Sequence, residues 1–279
     1  MSNWNNFKGA AHRLDDYDLP RIGHKIGVGE DELHAFMEVE ARGSGFDVQG
    51  RPAMLFEPHL FWRELGNTSK RALAVTQGLA YKDWDPGKYP KDSYPRLILA
   101  IAIDETAAFR SASWGLGQIL GSNHKEAGFA TPQAMVRAFM LDEQTHLEAM
   151  VNFLIANKLD DDLRAHQWVP LARGYNGPGH AKHNYAGRLA AAFAKWQRIK
   201  DTKWSPDMAA AETMDHDPSA SNVAFPNAPS RPNTPRQAIP VIVVGQDRPR
   251  NISEATPTAP AQEFWNRFLS ALSRRSKGA

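Results

Sequence analysis

The chain has 279 residues, of which 42% are apolar, 23% charged and 10% aromatic, the usage of a folded protein long enough for a sizeable core. Thirty-three Lys and Arg against 31 Asp and Glu leave a net charge of +2, which excludes polyanion binding driven by overall charge and confines any basic function to a local patch. With no cysteine, disulfide scaffolds, thiolate metal sites and cysteine nucleophiles are excluded.

The first residues, Met1 to Arg13, are broken by Asn, Lys and His where a secretory leader needs an apolar stretch, and no run reaches 18 apolar residues. A protein made in the cytoplasm without a signal peptide or membrane span is expected. The first predicted helix covers Glu30 to Ala41, with acidic residues at its start and Gly43 just past its end. Gly45 to Phe56 is the one strand-like stretch, expected to be a hairpin around Gln49-Gly50. Ser93 to Arg110 is apolar enough for a buried helix, and Thr131-Pro132 opens another that runs to about Lys158. Further helices are expected near Asp161 to Arg173 and His183 to Lys200, so residues 20–200 form a mainly α domain with a small β-hairpin.

Beyond residue 200 the composition changes. Nine of the 19 prolines lie in residues 1–200 and ten in 201–260, which predicts a Pro-rich linker over 201–260. Residues 261–279 are expected to form a basic amphipathic helix. Phe264, Phe268 and Leu272 make one apolar stripe, and Arg267, Arg274, Arg275 and Lys277 against Glu263 give a local charge of +3. Such a helix suits an anionic membrane or lipopolysaccharide surface, or docks its stripe on the main domain. Outside this tail basic residues form no large cluster, so no nucleic-acid partner is expected.

Leu33, Phe36 or Met37, and Glu40 follow helical spacing, so Glu40 shares the apolar face of the first helix while Glu38, about 200° around, faces water. A partly buried carboxylate prefers its neutral form, the state a general acid needs; the structural alternative is a pair with Arg42. The series Glu40-Ala-Arg-Gly-Ser-Gly-Phe46, Leu55-Phe-Glu-Pro-His-Leu-Phe61, Ser113-Trp-Gly-Leu-Gly-Gln-Ile-Leu-Gly-Ser-Asn123 and Tyr175-Asn-Gly-Pro-Gly179, followed by Tyr185, resembles the N-acetylmuramidase domain of modular bacteriophage endolysins. More distantly the same order looks like goose-type lysozymes and lytic transglycosylases.

The resemblance implies a lysozyme-like helical fold that cleaves the β-1,4 bond between N-acetylmuramic acid and N-acetylglucosamine in peptidoglycan. It implies a monomer without cofactor or metal, acting on the cell wall after release or holin-type export. Glu40 matches the catalytic acid. Glu57 is the candidate second carboxylate, with Asp47 as rival and pairing with His59, Arg51 or Arg63 as the structural alternative. Gln118 and Tyr175 with Asn176 match cleft-lining positions, and Tyr175 is expected near the acid more than Asn176. Two departures stand out: about 25 residues precede the first predicted helix where many endolysins of this type carry a separate wall-binding domain, so wall anchoring is expected to differ or be absent, and Ala41 follows Glu40 where relatives often carry Ser. A lytic transglycosylase forming 1,6-anhydro products and a non-catalytic wall- or membrane-binding protein are the competing readings.

Overall fold

The computed structural model describes residues 4–40, 44–83, 89–176, 181 and 184–208. The amphipathic segment 261–279, most of the Pro-rich stretch, Arg42 and Gly43 lie outside the described residues. Among the described residues no helix is long and apolar enough to cross a membrane.

The fold is mainly helical. In chain order it comprises α1 (Asp18–His24), α2 (Glu30–Glu40), β1 (Met54–Phe56), α3 (Pro58–Glu64), α4 (Ser69–Thr76), α5 (Tyr94–Ile103), α6 (Glu105–Arg110), β2 (Ala112–Trp114), β3 (Ile119–Leu120), α7 (Pro132–Phe139), α8 (Glu143–Ala156), α9 (Asp160–Arg164), α10 (Trp168–Asn176) and α11 (Tyr185–Trp196). The helix over 30–40 forms as its acidic first turn predicts, but the two long predicted helices each break at an aspartate. Asp104 accepts from the Ala107 N–H at 3.0 Å and starts α6; Asp142 accepts from the Thr145 N–H at 2.6 Å and starts α8. Each aspartate satisfies an orphan N–H of a new helix, and that local bond overrides apolar periodicity that runs through it. The predicted helix at 161–173 divides as well, with Pro170 tolerated in the first turn of α10.

The hairpin expectation is corrected. The turn at Gln49-Gly50 forms, closed by the Asp47 N–H to the Arg51 carbonyl at 2.8 Å and by a single bridge between Phe46 and Pro52. Met54–Phe56, however, pairs antiparallel with Ala112–Trp114, which pairs in turn with Ile119–Leu120, giving the order β1-β2-β3. Strand-like sequence therefore exists in 112–120 too, hidden because glycines interrupt its short apolar runs.

The N-terminal segment also departs from expectation. Trp4 and Phe7 are buried against Phe109, Tyr94 and Trp114, with Trp4 edge-on to Phe109 at 4.6 Å. Truncating either ring is expected to cost about 3–5 kcal/mol, so residues before 20 belong to the core. At the other end, the Thr202 N–H donates to Glu30 at 2.6 Å and Trp204 packs on His24. One compact unit therefore runs through Trp204, a few residues past the predicted boundary at 200. A second unit begins at Ser205, of which only the turn Ser205–Met208 is described.

Candidate active site

Glu40 ends α2. Leu33, Phe36 and Val39 on the same helix are buried, and the 3.6-residue period carries Glu40 inward with them, leaving it 1% exposed. Glu38 faces out, as expected, and pairs with Lys195 at 2.7 Å. One donor serves the Glu40 carboxyl: Asn176 Nδ2 gives a hydrogen bond to Oε1 at 2.9 Å. Oε2 has no partner among the described residues. Burial pushes the Glu40 pKa up to about 8, against the downward pull of the Asn176 bond and of the nearby Arg188 charge. Desolvation wins because one neutral donor cannot replace a carboxylate's hydration. The group is thus largely protonated at neutral pH. Since Oε1 accepts from Asn176, Oε2, which has no partner among the described residues, is the oxygen left to carry the proton.

Asn176 is the last residue of α10, and its neighbour Tyr175 points elsewhere, because successive helical side chains diverge by 100°. The Tyr175 hydroxyl donates to the Gly117 carbonyl at 3.3 Å, and its ring packs edge-on to Phe36 at 4.8 Å and Phe153 at 5.5 Å. Both residues lie near the acid: Asn176 hydrogen-bonds Glu40, and Tyr175 is close enough for the Glu40 charge to act on its phenol. Burial and the Glu40 charge both push the Tyr175 and Tyr185 phenols up, so both remain neutral donors. Tyr185 and Arg188 occupy the first turn of α11, and Arg188 donates to the Val39 carbonyl at 3.2 Å, setting a cation at the C-terminal end of α2. Arg188 was missed by sequence reasoning; its i+3 spacing from Tyr185 was the available signal.

Gln118 closes the turn between β2 and β3. It adopts a left-handed backbone at φ 48°, and its amide nitrogen donates to the Gly115 and Ala53 carbonyls at 2.8 and 3.2 Å. Its donors are therefore committed to the turn, which leaves the amide oxygen to receive a hydrogen bond from outside. Gly115 has φ 70°, and a Cβ at Gly117 would lie 2.2 Å from Met150 Cγ, so both positions require glycine. Through Tyr175 this turn is tied to the helix that carries Asn176.

The other carboxylates divide clearly. Asp47 accepts from the Gln49 and Arg51 N–H groups at 2.8 and 3.0 Å and from the Arg51 guanidinium at 2.7 Å, which commits it to the turn. Glu57 is buried just after β1 at the N-cap position of α3, where its side chain makes no capping bond; it accepts from the Tyr89 hydroxyl at 2.9 Å and lies 3.4 Å from His59 Nδ1. Four residues separate it from Ala53, about 13 Å along an extended chain. Among the described residues no three His, Asp or Glu side chains converge as a metal-holding group.

A family model for N-acetylmuramidase matches residues 30–197, a span that contains Glu40, Glu57, Gln118, Tyr175 and Asn176. Among solved structures the chain is similar to the Burkholderia AP3 phage endolysin, at 33% identity and a TM-score of 0.62 over 69% of this chain and 74% of that one. Among curated proteins there is no match. The matched span exceeds half the chain and carries the whole buried-acid constellation, and the chain accordingly belongs to the N-acetylmuramidase family of endolysin-type, peptidoglycan-cleaving enzymes.

Proposed function

We propose that the protein hydrolyses the β-1,4 bond between N-acetylmuramic acid and N-acetylglucosamine, with Glu40 as the general acid. The observation that carries this reading is the Glu40 carboxyl itself, its pKa raised by burial to about 8, with Asn176 on Oε1 and no partner for Oε2 among the described residues. An oxocarbenium-like transition state needs a proton on the departing glycosidic oxygen, and Oε2 has one to give. Asn176 holds the carboxyl plane, Tyr175 ties α10 to the Gly115–Gln118 turn, and the Gln118 amide oxygen accepts a sugar N–H or hydroxyl. Glu57 is the carboxylate that activates water, with Tyr89 and His59 fixing its orientation, whereas Asp47 is spent on its turn. The substrate is peptidoglycan glycan strand.

Mass spectrometry of the muropeptides released from purified wall tests this. Wild type should release reducing N-acetylmuramic acid ends. Glu40→Gln should release reducing ends more slowly by about 10²–10⁴, and Glu57→Gln should be strongly impaired. Products lighter by one water, with Glu57→Gln fully active, would instead identify a lytic transglycosylase. Full wall-clearing by Glu40→Gln would overturn the enzyme reading and leave a non-catalytic binding protein.

A further inference from the structure

The first turn of α8 contains two buried polar side chains that the proton transfer does not use. Glu143 is 5% exposed, and its Oε1 accepts from the Gly45 N–H at 2.6 Å and from Arg13 at 2.8 Å. Its Oε2 accepts from the Leu14 N–H at 3.2 Å, and the Ser44 hydroxyl lies 3.4 Å from Oε1. One helical turn on, the fully buried His146 uses both ring nitrogens. Nδ1 accepts from the Leu116 N–H at 3.1 Å and Nε2 donates to the Phe139 carbonyl at 2.7 Å. The ring is walled by Phe46 and Phe139, with centroids at 5.1 and 4.3 Å. A Cβ on Gly45 would lie 2.3 Å from His146 Nδ1, and one on Gly115 would lie 2.9 Å from it. The imidazole therefore packs directly against the backbone at Gly45 and Gly115, where a Cβ would collide with it.

Those two segments adjoin the candidate site residues in sequence. Ser44–Gly45 lies four and five residues beyond Glu40, and Leu116 lies two residues before Gln118. Ala53 links them a second time, donating to the Gly45 carbonyl at 2.6 Å and accepting from the Gly115 N–H at 2.7 Å. We propose that Glu143 and His146 are positioning residues that fix the distance between the segment leaving the acid and the turn presenting Gln118, so that both segments meet a glycan strand as one preformed body. The inference rests on the muramidase reading of Glu40 and Gln118. Burial holds the imidazole down at about 4, against the upward pull of its bond to the Phe139 carbonyl and of the Glu143 and Asp142 charges, while Gly45, Phe46 and Gly115 face it with no charge. It is neutral, and the donor role of Nε2 leaves Nδ1 as a fixed acceptor.

The test compares wild type, His146→Phe, Glu143→Gln and Glu40→Gln on soluble, uncross-linked glycan strands of alternating N-acetylmuramic acid and N-acetylglucosamine. His146→Phe and Glu143→Gln should each raise KM roughly tenfold with kcat nearly unchanged, because a displaced Gln118 weakens sugar binding in ground and transition states alike. A fall in kcat in proportion to lost folded protein, with KM unchanged, would show a purely structural role and overturn the inference. Should the variants not fold, the 15N signals of the His146 ring and the Leu116 amide, followed in full-length Glu40→Gln protein as glycan strand is added, decide the matter. The expected result is an unprotonated Nδ1 and a shifted Leu116 amide; a protonated Nδ1, or a Leu116 signal unmoved at saturation, overturns it. Wild-type turnover by Glu40→Gln refutes the parent reading and the clamp with it, whereas a dead Glu40→Gln beside unaltered clamp variants refutes the clamp alone.

Discussion

The C-terminal end of α2 and the N-terminal turn of α8 each bury one glutamate, and the two are treated in opposite ways. Glu143 receives the Arg13 guanidinium, the Gly45 and Leu14 N–H groups and the Ser44 hydroxyl at the end of a helix that favours negative charge. Glu40 receives one amide at the end that disfavours it. Both side chains are buried, but the Glu143 carboxyl meets several donors, whereas among the described residues the Glu40 carboxyl meets one, and burial raises its pKa against that single bond. A carboxylate surrounded by donors anchors structure. One starved of donors stays protonated and becomes an acid.

The comparison breaks most visibly in activity. Glu40→Gln keeps the shape of the side chain but removes the transferable proton, and the rate of reducing-end release should fall by about 10²–10⁴. Asn176→Ala removes the donor that selects the protonated oxygen. It should lower kcat by roughly tenfold and shift the alkaline limb of the kcat profile upward, since the bond it deletes holds the Glu40 pKa down.

Stability should move the other way. The Glu40 pKa is about 8 in the fold and near its ordinary 4.5 in the unfolded chain, so between those values the folded state binds the extra proton. Its contribution is fully present below about pH 4.5 and is lost as pH rises toward about 8. At pH 7 the loss is about 3 kcal/mol, so Glu40→Gln should raise the melting temperature by several degrees there and hardly at all at pH 4.5. A Tm difference independent of pH would contradict the protonated acid. Glu143→Gln should instead lower Tm at neutral pH by weakening four bonds at once.

The smallest effect concerns the tail. Deleting residues 261–279 should reduce killing of intact Gram-negative cells more than hydrolysis of purified wall, an expectation drawn from their basic amphipathic pattern. Equal loss in both assays would count against a surface-binding role.

The inward turn of Glu40 and the family were legible in the sequence. Helical periodicity alone turned Glu40 inward, because that property depends on a local 3.6-residue repeat, and an ordered series of short motifs pointed to the family. Helix boundaries were less legible, since the caps at Asp104 and Asp142 lie within apolar stretches that read as continuous.

Tertiary structure decided the pairings. The exchange of the hairpin partner for Ala112–Trp114, the hydrogen bond from Asn176 to Glu40, the approach of Arg188, and the seating of His146 between Gly45 and Gly115 all join residues far apart in the chain. Residue order determined that an acidic side chain would face the core. How many donors it would meet there, and hence its protonation, depended on which distant elements packed against it.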